Sequence, residues 1–135
     1  MKPNNVFFIP CTETSFYRAW IEFLAPYHKL TARERDVAAR ILMQYFKFRD
    51  SVDDPAVLRD LLWSKTSRKD LMRSLKISQA HFQIILNKLK SAGFLLEWDI
   101  NPRFIPHKVA DESRFMLQVV FDWSSNNHPI NREKE

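Results

Sequence analysis

The stretch Ser67-Arg68-Lys69-Asp70-Leu71-Met72-Arg73-Ser74-Leu75-Lys76-Ile77-Ser78-Gln79-Ala80-His81-Phe82-Gln83-Ile84-Ile85-Leu86-Asn87-Lys88-Leu89-Lys90-Ser91-Ala92-Gly93-Phe94-Leu95 decides the fold. Its opening, Ser67-Arg68-Lys69-Asp70, has the form of a capping box and predicts a short helix with Leu71, Met72 and Leu75 turned inward. Ile77 and Ser78 make a tight turn, and Ser78 caps a second helix over 79–92. There Phe82, Ile85, Leu86 and Leu89 recur at i, i+3, i+4 and i+7, the spacing of one buried stripe. They are expected to face Leu71, Leu75, Ile41 and Tyr45. Gly93 stands where a left-handed residue stops the helix.

Upstream the pattern is also helical. Phe16, Trp20, Phe23 and Leu24 predict a first helix over 14–25, ended by Pro26 because the residue before a proline avoids helical backbone. Thr31-Ala32-Arg33-Glu34 is a capping box, and Val37, Ala38, Ile41, Leu42 and Tyr45 follow on one face to about position 48. Asp54 and Pro55 fit the cap and first position of a further helix carrying Val57, Leu58, Leu61 and Leu62. After Gly93 the period shortens. Strands are expected at about 94–99 and 113–122, joined by a long loop as a hairpin that leans on the helices. Positions 6–9 read as a short strand or arm. The expected fold is mainly α with a small β-hairpin: one domain over 1–123, with an N-terminal arm and extra helix, then a polar tail over 124–135.

Composition narrows the chemistry. The chain has 135 residues, one glycine, one cysteine and four histidines. A lone glycine cannot build a Walker-type phosphate loop or a GxGxxG turn. Cys11 alone makes neither an internal disulfide nor a CxxC knuckle, and reads as a small buried or half-buried apolar residue. The histidines show no ligand spacing. Asp50, Asp53 and Asp54 lack the EF-hand pattern and read as turn and cap. Neither a metal nor a cofactor is expected, and no nucleophile or carboxylate pair is placed, so the expected protein is not an enzyme. Trp20, Trp63, Trp98 and Trp123 fall within helical or strand periods and read as core and packing surface. No apolar run approaches the ~18 residues of a membrane span, and the apolar stretch before Cys11 is too short for a signal sequence. A cytoplasmic protein without membrane contact is expected.

The order capped helix, tight turn, helix, glycine, hairpin resembles a winged helix-turn-helix domain over about 30–121. Leu86, Leu89, Gly93, Phe94 and Leu95 are similar to the LxxLxxxGFL ending of recognition helices in MarR-like regulators. Lys88-Leu89-Lys90-Ser91-Ala92-Gly93-Phe94 looks like the KLKxxGF ending of replication initiators. The resemblance implies that the helix over 79–92 enters a DNA major groove.

Charge and side-chain chemistry point the same way. Between positions 65 and 90 lie seven cations (Lys65, Arg68, Lys69, Arg73, Lys76, Lys88, Lys90) and one acid, Asp70. That segment carries +6 of a total of +5, so the remainder sums to −1. A basic excess confined to two helices suits phosphate contact. Gln79, Gln83 and Asn87 fall on the face opposite the stripe, where Gln and Asn can bond adenine edges bidentately. Arg68, Lys69, Arg73 and Lys90 are candidate phosphate contacts, and Arg103 and Lys108, in the expected wing loop with His107, are candidate wing contacts. Double-stranded DNA is thus the expected partner and transcriptional regulation the expected role. A homodimer through the N-terminal helix is a further possibility of this architecture. The competing expectation is a winged helix used for assembly, as in a phage DNA-packaging or virion component or a polymerase adaptor.

Overall fold

The computed structural model describes residues 7–107, 114–117 and 119–124. Within them the chain is mainly helical with one two-stranded antiparallel hairpin. The helices are α1 Glu13–Phe23, α2 Ala25–His28, α3 Ala32–Arg49, α4 Pro55–Leu62, α5 Lys65–Leu75 and α6 Gln79–Ser91. The strands are β1 Leu95–Leu96 and β2 Asp99–Ile100, followed by a 3-10 turn at Pro102–Phe104.

Most of the expected caps are in place. Thr31 Oγ1 accepts from the Glu34 N–H at 3.3 Å while a Glu34 carboxylate oxygen accepts from the Thr31 N–H at 3.0 Å. Asp54 and Ser78 cap α4 and α6 through their side-chain oxygens. Gly93 follows α6 with φ +84°, a conformation that costs an L side chain about 1–2 kcal/mol. One box is displaced. Helix α5 starts a turn earlier, because Ser64 Oγ accepts from the Ser67 N–H at 3.2 Å. Ser67 is therefore inside the helix and buried, and its hydroxyl accepts from Gln44 Nε2 at 3.2 Å. Pro26 does more than break α1: it sits in the first turn of α2, where its missing N–H costs nothing.

Helix α3 is the centre of the packing, touching α1, α4, α5 and α6. Val37, Ala38, Ile41 and Leu42 on it are fully buried. The α6 stripe of Phe82, Ile85, Leu86 and Leu89 joins the same core, as do Leu71 and Leu75. Tyr45 is only partly buried at its margin. Each such aliphatic side chain contributes about 1.5–3 kcal/mol by leaving water.

Helix α1 spends its apolar face on this core, with Tyr17, Trp20 and Ile21 buried. Arg18 bonds both Glu22 and Asp36, and Arg35 reaches Glu22 at 2.8 Å, which ties α1 to α3 from outside. The hydrogen bond from Arg18, reinforced by Arg35, holds the Glu22 carboxyl below its usual range. Buried His28 is fully satisfied: Nδ1 accepts from the Leu30 N–H at 3.0 Å, leaving Nε2 to donate to the Ile21 carbonyl at 2.7 Å.

The hairpin differs from expectation. Leu95 pairs with Ile100 and Leu96 with Asp99, so the connection is Glu97-Trp98 alone. Residues 114–117 and 119–123 belong to no strand, and Ser113 and Gln118 lie outside the described residues. The stretch 94–98 reads as one strand because neither turn residue is Gly, Asn or Asp, the usual signals of a two-residue loop. Glu97 nevertheless takes φ +61°, and tertiary contacts of Trp98 and Asp99 offset that cost. The arm is also revised: Phe7, Phe8 and Ile9 form no strand and are exposed, and Val6 lies outside the described residues. Cys11 is exposed, not buried. Of the tryptophans, Trp20 is buried and Trp63 half-buried, whereas Trp98 and Trp123 are exposed.

Replacing Leu86 by Ala leaves a void where α6 meets the core. Urea denaturation is expected to show a loss of about 2–5 kcal/mol. A loss well under ~1 kcal/mol would place this side chain outside the core.

Candidate nucleic-acid interface

The turn between α5 and α6 is three residues, Lys76, Ile77 and Ser78. Lys76 takes a left-handed conformation that closes α5. Arg33, from the first turn of α3, donates Nη2 to the Leu75 carbonyl at 2.6 Å. That bond satisfies a terminal carbonyl of α5 and fixes the turn against α3. Ile77 is half-buried beneath it. The relative placement of α5 and α6 is thus set by backbone caps and an arginine tie as well as by the core.

With the stripe inward, Gln79, Gln83 and Asn87 are exposed along the outer face of α6. Gln83 Nε2 donates to Asn87 Oδ1 at 3.4 Å, which aligns the two amides one turn apart. Ile84, between them on the exposed side, is an apolar residue in solvent that the stripe reading passed over. Its signal was present: it lies two residues after Phe82, off the i, i+3, i+4 series.

The cations separate into three situations. Arg68 and Lys69 are exposed on α5. Arg73 is exposed and pairs with Asp70 at 3.1 Å, a one-turn surface contact worth little in water. Lys90 is half-buried, with Nζ 3.8 Å from the centroid of the Trp98 ring. Such a contact is worth about 0.5–1 kcal/mol at an exposed site. Folding adds two cations that the linear tally missed. Arg40 and Lys47 of α3 line an open cleft of about 300 Å³ together with Asp70 and Arg73 of α5. They lie outside the 65–90 segment, so nothing in local composition linked them to it.

The hairpin is small and firmly tied. Trp63 Nε1 donates to the Trp98 carbonyl at 2.6 Å, and the two indoles meet edge to face at 5.3 Å. Arg59 pairs with Asp99 at 3.3 Å. Asn101 Nδ2 donates to the Gly93 carbonyl at 2.9 Å, which links the end of α6 to the exit of the hairpin. Arg103 is exposed in the 3-10 turn after the hairpin, not in its loop, and its guanidinium lies 5.8 Å from the Phe104 ring. His107 is exposed further on. Lys108 lies outside the described residues. The hairpin tip presents Glu97 and Trp98, an acid and an indole, instead of the expected basic loop.

Among the described residues no cluster of His, Cys, Asp or Glu could hold a metal ion, and no helix is long and apolar enough to cross a membrane. Comparison with known proteins gives no match: no protein-family model, no curated protein and no solved structure matches the chain.

Trp63→Phe keeps the edge-to-face contact and removes the indole donor to the Trp98 carbonyl. The expected cost in urea denaturation is about 0.5–1.5 kcal/mol, with faster amide exchange confined to the hairpin.

Proposed function

We propose that this protein binds double-stranded DNA as a winged helix, with α6 in the major groove, and acts as a transcriptional regulator. One observation carries the reading. The helix pair that holds the +6 charge also presents an exposed row of amide side chains on the helix whose opposite face is buried. Cations beside hydrogen-bonding amides supply the two parts that sequence-specific binding needs, phosphate contacts for register and base-edge contacts for discrimination.

Arg68, Lys69 and Arg73 meet phosphates in this reading. Arg73 exchanges Asp70 for a phosphate at small cost, because both partners are solvated. Lys90 reaches the backbone only by leaving Trp98, and its main work is to hold the wing against α6. Gln79, Gln83 and Asn87 face the bases, and Ile84 is placed to touch a thymine methyl. Arg40 and Lys47 enlarge the basic surface beside Arg73. Arg103 follows the hairpin and can reach the backbone from the wing side.

The assembly reading draws on a different observation. Phe7, Phe8 and Ile9, together with Met116, Val119, Val120, Phe121 and Trp123, place large apolar side chains in solvent. Surfaces of that kind mark protein contacts.

The test is binding to random and to selected duplexes across a salt series. Wild-type affinity is expected to fall with a log–log slope of about −0.9 per phosphate neutralised. Arg68→Ala and Lys69→Ala should each weaken binding to every duplex alike and reduce the slope by about one unit. Gln83→Ala should leave non-specific affinity nearly unchanged and cost about 1–3 kcal/mol of discrimination. A protein that ignores duplex DNA at low salt belongs to the assembly class.

A further inference from the structure

The open cleft between α3 and α5 has a volume of about 300 Å³, at the small end of the range for ligand sites. Arg40 and Lys47 of α3 and Arg73 of α5 line it, with Asp70 as the acid among them. Three cations and one acid give the cleft a net charge of +2. Arg73 is paired with Asp70 at 3.1 Å. Arg40 and Lys47 make no ion pair or side-chain hydrogen bond among the described residues. They stand two turns apart on one face of α3, about 10 Å along its axis. Their long side chains can therefore converge on a group held between them.

The wall of the cleft supplies a second, independent observation. Gln44 lines it and is only 8% exposed. Its Nε2 donates to Ser67 Oγ at 3.2 Å. Its Oε1 accepts from no donor among the described residues. A buried carbonyl oxygen without a donor costs free energy, so the cleft holds an acceptor that a hydroxyl would satisfy. A water molecule would satisfy the oxygen and leave the charge of +2 unmatched. Met43 and Leu71 add apolar surface suited to a short carbon chain.

Each feature narrows the ligand. A phosphate monoester carries about −1.5 to −2 at neutral pH, which matches the cleft, whereas one carboxylate supplies half of that. The guanidinium forks of Arg40 and Arg73 suit its oxygens. Gln44 Oε1 needs a donor, which a phosphate dianion lacks, so the donor must come from the organic part of the ligand.

We propose that the cleft between α3 and α5 binds a small hydroxylated phosphate monoester, with Arg40, Lys47 and Arg73 on the phosphate and Gln44 Oε1 accepting from a hydroxyl. Asp70 opposes the anion and holds Arg73 until the phosphate replaces it. The site stands independently of whether the protein binds DNA.

The experiment titrates the full chain with glycerol phosphate and with propyl phosphate, which lacks the hydroxyls, at an ionic strength held constant with sodium chloride. The side-chain N–H signals of Arg40, Arg73 and Gln44 are followed by NMR. Glycerol phosphate is expected to shift all three along one saturable curve, and propyl phosphate to bind about tenfold more weakly. Arg40→Ala and Lys47→Ala suit a helix, and each should weaken glycerol phosphate about tenfold. Asp70→Asn removes the opposing carboxylate and should tighten it about threefold. A parallel titration with duplex DNA separates the two sources of phosphate. A duplex that shifts the three signals while glycerol phosphate does not makes the cleft a contact for the nucleic-acid backbone and overturns the proposal. Shifts that never saturate, equal affinity for the two esters, or affinities indifferent to the three substitutions overturn it as well.

Discussion

The inner face of α3 is the constraint on which the remainder depends. Val37, Ala38, Ile41 and Leu42 have no solvent exposure, and α1, α4, α5 and α6 all pack on that helix. Ala38, Ala39, Ile41 and Leu42 are buried in the same cluster as the α6 stripe. Interiors are close-packed, so this surface leaves α6 one rotational setting. Its four large apolar residues go inward, and Gln79, Gln83 and Asn87 must then face out. The candidate interface is in this sense a by-product of core packing. The Gln44–Ser67 hydrogen bond, buried between α3 and α5, penalises sliding of one helix on the other, because a shift would leave two buried polar groups unmatched.

Around this core the polar contacts act as ties between elements adjacent in space and distant in sequence. Arg33 joins α3 to the end of α5, Arg18 and Arg35 join α1 to α3, and Trp63, Arg59 and Lys90 join α4 and α6 to a hairpin of four paired residues. A hairpin that short has no stability of its own. It exists because Leu95 and Ile100 are buried and Trp98 is gripped from two sides. The same grip occupies Lys90, so a cation expected from composition to meet phosphates is engaged in holding the hairpin.

The ends of the chain are built on other terms. The body sequesters its large aliphatic residues in one cluster, whereas 7–9 and 116–123 leave theirs largely in water.

Periodicity and capping chemistry located five of the six described helices from sequence, α5 with its start a turn late, and left α2 unread. The stripe on α6, the Thr31 and Ser78 caps, the Asp54-Pro55 start and the Gly93 stop are local features, decided within one or two turns by backbone hydrogen bonds and side-chain spacing. So is the exposure of the three amide residues, which follows once the stripe is inward. Contacts between distant segments decided the rest. Gln44, twenty-three residues away, draws Ser67 into the interior, and Ser64 then caps α5. Trp63 and Lys90 hold Trp98 at a turn that local propensity disfavours, so one expected strand became a complete hairpin. Arg40 and Lys47 reach the basic surface only through the packing of α3 on α5. The strand expected over 113–122 has the right composition, yet its described residues lie in no strand. Strand propensity is local, while a ladder needs a second backbone, and the hairpin had already closed on Asp99 and Ile100.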